Sequence, residues 1–224
     1  MVFPMHIPTG MHDNAPTQGS RRLTEAQKKS ADATREKLLQ AAYEEIHLHG
    51  FQAASLSAIL KRAQMTKGAL YHHFPNKLAL GYAVVEEVLQ EEFERDFFQY
   101  FRQKDNFIDG FLYAAEKGRD ARQADLVQRG CPVNNLIHEM SPIDPGFSTR
   151  LDAIISWAVE MFESQLRIDQ QKGLIRADID PHCTALFIVA GMKGCVGLAK
   201  NVQSAERFNQ CVFALIQYVQ MLRA

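Results

Sequence analysis

The chain has 224 residues, 46% hydrophobic and 23% charged, with a net charge of −1. That composition reads as soluble and globular, with length for one large or two small domains. The near-neutral sum hides an asymmetry: residues 21–80 hold ten Lys/Arg against five Asp/Glu, and residues 81–224 hold 15 against 20. A basic N-terminal third on an acidic body points to a polyanionic partner for that third. Residues 1–30 read as a disordered lead-in: Pro4, Pro8 and Pro16 punctuate a start that lacks the charged and apolar regions of a signal peptide.

Strand signals are nearly absent, and helical spacing recurs throughout. The first helix is expected from about Asp32 to His49, with Leu38, Leu39, Ala42 and Ile46 inward and Gly50 as its stop. Ser55 is placed to cap a short second helix carrying Leu56, Ile59, Leu60 and Ala63. Thr66 can cap a third, barely two turns long, which Pro75 ends. Asn76 then caps a long fourth helix running towards Phe101. Further helices are expected near 106–122, 132–140, 144–172, 180–200 and 204–222, punctuated by Gly130, Pro142, Pro145, Gly173 and Pro181. The predicted fold is all-α, a three-helix head continuous with a larger helical body.

The third helix, in "TKGALYHHFPNK" (66–77), carries the functional signal. Leu70 and Phe74, four apart, face inward, while Lys67 and Tyr71 share the opposite face beside Gly68 and His72. Small residues at its front, Gly68 and Ala69, let the backbone approach a surface closely. A helix N-terminus also favours phosphate through its free N–H groups and dipole. A helix this short is not stable alone and must be held by its neighbours. These features fit the second helix of a helix-turn-helix, which enters a DNA major groove by its N-terminal end.

The stretch "SLSAILKRAQMTKGALYHHFPNKLAL" closely resembles the helix-turn-helix of the TetR family of bacterial transcriptional regulators, and the likeness runs upstream through "TREKLLQAAYEEIHLHGF". Gly68, Tyr71, Phe74 and Lys77 stand at the family's spacing. The resemblance implies a DNA-binding domain over residues 31–92, with its motif at about 55–74, and a ligand-binding and dimerisation domain over 93–224. It implies that Thr66 caps the helix and bonds a phosphate, that Lys67 reaches a base edge or phosphate, and that Ala69 touches a thymine methyl. Tyr71, His72, Lys77 and Ser55 would contact phosphates, with Gly68 allowing close approach. Two positions depart from the family pattern: Gln64 stands where the turn usually has Gly, and Leu60 where Ala is usual. Gln64 would need a strained turn, and Leu60 would alter the spacing of the second and third helices. His73 is expected to pack or face solvent. Arg21, Arg22, Lys28 and Lys29 form either an arm that touches DNA or a solvated tail.

The resemblance further implies a small-molecule effector and a homodimer. The glycines of "GMKGCVG", Gly191, Gly194 and Gly197, leave a low ridge on the penultimate helix. The last helix offers an apolar stripe of Phe208, Val212, Leu215, Ile216 and Val219. These two helices are the expected dimer face. Phe93, Tyr113, Trp157, Met161, Phe187 and Met192 are nominated for the effector pocket as large apolar side chains spread over the body helices. Cys131, after Gly130 at a helix start where a thiolate is favoured, is the reactive candidate, with an inert buried thiol as the plain alternative. The four cysteines are far apart; Cys183 and Cys195 would lie ~18 Å apart on one helix, beyond disulfide reach. They read as reduced thiols of a cytoplasmic protein.

The run "CTALFIVAGMKGCVGLA" (183–199) has Lys193 at its middle and reads as a buried helix rather than a membrane span. His47 and His49 fall on opposite helix faces, which excludes a metal pair. The chain has no G-x-S-x-G elbow and no glycine-rich phosphate loop, so no enzyme activity, metal or cofactor is expected. The reading is a homodimeric repressor that leaves a near-palindromic operator when an effector binds. The alternatives are a helical adaptor of the same fold that no longer binds DNA and a thiol-based electrophile or oxidant sensor acting through Cys131.

Overall fold

The computed structural model describes residues 25–224. Helix α1 (Glu25–His49) begins seven residues before its expected start at Asp32. The expected lead-in lies outside the described residues as far as position 24, as do Arg21, Arg22 and the side chains of Lys28 and Lys29. Helices α2 (Leu56–Ala63) and α3 (Lys67–His73) follow. Ser55 Oγ accepts the Ala58 amide at 3.4 Å, Thr66 Oγ1 the Ala69 amide at 3.2 Å, and Asn76 Oδ1 the Ala79 amide at 2.8 Å. Each cap fell where a short polar residue preceded an apolar period. Gly50 ends α1 at φ +80°, and Gln64 ends α2 in the left-handed region at φ +56°. The strained turn expected at Gln64 is therefore present.

The fourth helix, α4 (residues 77–101), is one rod with two widened, π-type stretches, Val84–Leu89 and Glu94–Phe98. Sequence periodicity gives no sign of them, because an i→i+5 bond arises from packing and not from residue type. In the second stretch Phe97 and Phe98, adjacent in sequence, are both buried. Helix α5 (Phe107–Arg129) runs about two turns past its expected end, to the cap at Gly130. The body closes with α6 (Pro132–Met140), α7 (Pro145–Gln171), α8 (Pro181–Val202) and α9 (Ala205–Gln220). Proline opens α6, α7 and α8, where its missing N–H costs nothing. An isolated antiparallel bridge joins Ile175 to Arg223 and ties the C-terminus to the α7–α8 turn.

Two main cores hold these elements. Leu38, Ala42, Ile59, Leu70, Leu80 and Val84 of the head pack together with Leu136, Phe147, Leu151 and Ile154 of the body. The head is therefore seated on α6 and the start of α7 through a shared core. The other core is aromatic, built on Phe98, Phe101, Phe107, Phe111 and Phe162. Fully buried Asp169 accepts the Phe107 amide at 2.6 Å, so a carboxylate from α7 satisfies the first turn of α5. Among the described residues α8 alone has the length and apolarity of a membrane span, and its Ala185, Ile188, Val189 and Ala199 are buried within the protein.

Candidate nucleic-acid interface and body cavity

The head presents α3 as the sequence requires. Leu70 and Phe74 are buried behind it, and Lys67, Gly68, Tyr71 and His72 are exposed in front. Lys67 makes no ion pair among the described residues, whereas Arg62 on α2 is committed to Glu44 of α1 at 2.7 Å. A Cβ on Gly68 would meet only Thr66 Oγ1, at 3.8 Å. Packing inside the chain therefore does not demand glycine there, and the open space faces outward. Ala69 is half-buried, and the Thr66 and Ser55 hydroxyls, while accepting cap bonds, retain a proton to donate. Ser55 also lies 2.6 Å from the hydroxyl of exposed Ser57, which sequence reading did not single out.

Lys77 differs from the other nominated DNA contacts. Its Nζ donates to the Gln52 carbonyl at 3.0 Å and sits 4.9 Å over the Phe51 ring. Burial there lowers its pKa, partly offset by Glu139. The ammonium thus fastens the α1–α2 loop to the start of α4 and has fewer donors left for a phosphate. His73 is half-buried with its ring 5.1 Å from that of His72.

The body holds a cavity of about 160 Å³, partly open to solvent, between α4, α5, α6, α8 and α9. Three of the seven nominated side chains, Phe93, Cys131 and Met192, line it. The structure places the other four elsewhere. Trp157 packs on Phe98 at 4.7 Å, and Met161 packs against the aromatic core. Tyr113 lies between the Lys104 and Lys117 ammonium groups, at 4.4 and 5.5 Å. Phe187 is 56% exposed, with its ring 5.0 Å from Tyr218. Their size suggested a pocket wall, but their phase on each helix turns them away. On α5 the wall comes from Phe111, Ala114, Ala115, Gly118 and Arg122, one helical stripe that excludes Tyr113.

The wall also holds charges that sequence reading missed. Glu92 and Asp96, four apart on α4, face Arg122 of α5, which bonds Asp96, meets Asp125 at 3.3 Å and lies 3.9 Å from Glu92. Burial pushes the Glu92 carboxyl up, and burial together with Glu92 raises the Tyr43 phenol beside it. Tyr43 belongs to α1, so this cluster joins head, linking helix and cavity. Glu92 and Asp96 stand among Glu86, Glu87, Glu91, Glu94 and Arg95 on the same helix, so nothing in the sequence set these two apart as wall residues. Lys193, noted in the sequence only as a charge in an apolar run, directs its Nζ to Cys131 Sγ at 3.3 Å and over the Phe93 ring at 4.5 Å.

The side chains named for the expected dimer face divide between the core and the surface. Phe208, Leu215 and Val219 of α9 are buried in their own subunit, and Gly191 faces Leu215. The apolar side chains left exposed on these two helices include Leu186, Phe187, Leu198, Val202 and Phe213. A Cβ on Gly194 would meet nothing within 4 Å.

Comparison with known proteins matches both halves of this architecture. Residues 38–84 fit the model of bacterial regulatory proteins of the tetR family. Residues 113–215 fit that of the tetracyclin repressor-like C-terminal domain. The transcriptional regulator AcuR of Cereibacter sphaeroides is 29% identical over 180 residues, covering 76% of this chain and 78% of its own. The HTH-type transcriptional repressor DhaR of Mycobacterium sp. (strain GP1) is 24% identical over 174 residues, covering 73% and 82%. The crystal structure of a regulatory protein TetR from Rhodobacter sphaeroides superposes with a TM-score of 0.73 at 24% identity, covering 82% of this chain and 97% of that one.

Proposed function

Because this chain belongs to the TetR family of bacterial regulatory proteins and is a helix-turn-helix transcriptional regulator, we propose that it acts in the cytoplasm as a homodimeric repressor released from its operator by a small molecule. The observation that carries the reading is the front of α3: Lys67 without an ion pair among the described residues, open Gly68 and exposed Tyr71, on a capped helix held from behind by Leu70 and Phe74. Lys67, Gly68 and Ala69 read bases, while Ser55, Thr66, Tyr71, His72 and a remaining Lys77 donor hold phosphates. Exposed Leu186, Phe187, Leu198, Val202 and Phe213 supply the apolar face that a second copy covers. Two-fold pairing then sets the recognition helices about 34–36 Å apart, which requires a near-palindromic site.

Release follows from how the cavity is built. Helix α4 starts beside α3 and carries Glu92, Phe93, Asp96 and Phe97 into the cavity wall. Helix α6 starts there at Pro132 and ends near the α1–α2 loop, whose Phe51 and Gln52 amides Glu139 accepts. A ligand that fits the cavity better in the splayed arrangement shifts the pair of recognition helices out of register, and equal affinity for both arrangements would shift nothing.

A gel shift with DNA flanking the gene tests this reading. A complex that weakens steeply with salt and disappears in the Lys67→Ala/Tyr71→Ala double variant is expected. Failure to select any binding site from a random DNA library would leave the adaptor alternative and sink the repressor. A second reading, covalent sensing, is favoured by the Cys131–Lys193 contact in the cavity wall. Iodoacetamide should then release the operator from the wild type and not from Cys131→Ser, and equal release from both would reject it.

A further inference from the structure

Most charges of the cavity wall are paired, although the buried Glu92 Oε2 has no hydrogen-bond partner among the described residues and only Arg122 at 3.9 Å. Arg122 is held by Asp96 and Asp125, and Arg119 lies 3.2 Å from Asp120. Lys193 has no carboxylate within ion-pair distance among the described residues. Its contacts are the Cys131 sulfur at 3.3 Å and the face of Phe93 at 4.5 Å. A thiol is a weak acceptor, and an ammonium has three donors, so two N–H groups remain for a ligand. A half-buried ammonium with such partners is free to form a charge-assisted bond with an anion.

The remaining wall is apolar, with Phe97, Phe111, Val196, Phe208 and Leu215 around the space. A cavity of about 150 Å³ with walls of this kind accommodates one benzene ring, and this one measures about 160 Å³. We infer that the cavity takes a small monocarboxylate whose apolar body is the size of a single six-membered ring, its carboxylate bonded to the Lys193 ammonium. The inference rests on the reading above that this cavity is the effector site, and it names the effector's chemical class. Glu92 and Asp96 do not make the site cationophilic, since both face Arg122. They do disfavour a dicarboxylate, whose second charge would be buried among them without a cation.

Titration calorimetry on the full chain tests the class with three probes of one shape: benzoate, benzyl alcohol and benzylamine. Benzoate is expected to bind most tightly. Lys193→Met, which keeps the stem and loses the charge, should weaken benzoate about tenfold or more and leave benzyl alcohol unchanged. Lys193→Arg should retain benzoate, because it keeps a cation at that place in the wall. A thermal melt accompanies each variant, and the Arg variant guards against a folding loss in the Met variant. Benzylamine binding as tightly as benzoate, undiminished benzoate binding in Lys193→Met, or no benzoate binding by the wild type would each overturn the inference. Adding benzoate to the operator gel shift separates the two readings. Lys193-dependent binding that leaves the DNA complex intact would uphold the ligand class and sink effector release.

Discussion

The carboxylate of Glu139, on α6 of the body, accepts the backbone amide of Phe51, in the head, at 2.9 Å, and its other oxygen accepts the Gln52 amide at 2.8 Å. The loop that aims α2 and α3 is thus held by a side chain 88 positions away. A Cβ on Gly50 would stand 2.7 Å from the same carboxylate, so the approach is close. Glu139→Ala should cost about 1 kcal/mol, the scale of a partly solvated hydrogen-bonded pair, seen as a Tm drop of about 2–4 °C. Glu139→Gln, which keeps one acceptor, should lose less. An unchanged melting curve for the alanine variant would mean that water replaces the carboxylate without loss.

Lys67 and Lys77 are both expected at DNA, yet their surroundings separate them. Lys67 is exposed, so Lys67→Ala should leave Tm unchanged while weakening operator binding and lowering the salt slope by about 1 if it neutralises one phosphate. Lys77→Ala also removes the bond to the Gln52 carbonyl and the contact with Phe51, so it should lower Tm as well. Paired melting and fluorescence-anisotropy titrations would decide. Equal stability of the two variants would show that Lys77 serves DNA only.

Gly81→Ala reverses the usual helix preference. On propensity, alanine inside an exposed helix gains about 1 kcal/mol over glycine. Here a Cβ would fall 2.4 Å from Phe51 Cε2 and 2.9 Å from Phe147 Cζ. Those rings pack edge to face at 4.7 Å, in the core shared by head and body. The substitution should destabilise by about 1–3 kcal/mol, as overpacking does. A urea titration that finds the variant as stable as the parent would contradict this packing.

His47 links α1 to the body through Nε2, which donates to the Gly130 carbonyl at 2.9 Å while Nδ1 faces the Tyr43 hydroxyl at 3.5 Å. Burial lowers its pKa, because the imidazolium is disfavoured there. The unfolded chain therefore takes up a proton at a higher pH than the folded one. Stability from this group is complete above about pH 6.5 and falls as pH drops from there towards the folded value. The urea midpoint should fall between about pH 7.5 and about pH 5.5, and His47→Gln, which keeps an N–H donor, should shrink that fall. An unchanged pH response in the variant would assign the loss to other groups.

The sequence by itself determined the order of the helices, most of their caps and the face of α3, but not the start of α1 or the end of α5. Ser55, Thr66 and Asn76, the prolines of α6 to α8 and Gly50 act within one turn of where they stand, so their effect is legible locally. Leu70, Phe74, Lys67 and Tyr71 separate by helical phase within nine residues, and the fold kept that separation. Only the tertiary structure decided the widened turns of α4, the cavity wall and the fastening of head to body. Whether a large apolar side chain meets a cavity, its neighbours or solvent depends on helix rotation and crossing, which composition does not encode. Trp157 entered the aromatic core and Phe187 stayed outside for that reason. Lys193 and Cys131 stand 62 positions apart, and they meet because α8 and α6 both pack on α7, which brings the middle of one beside the start of the other.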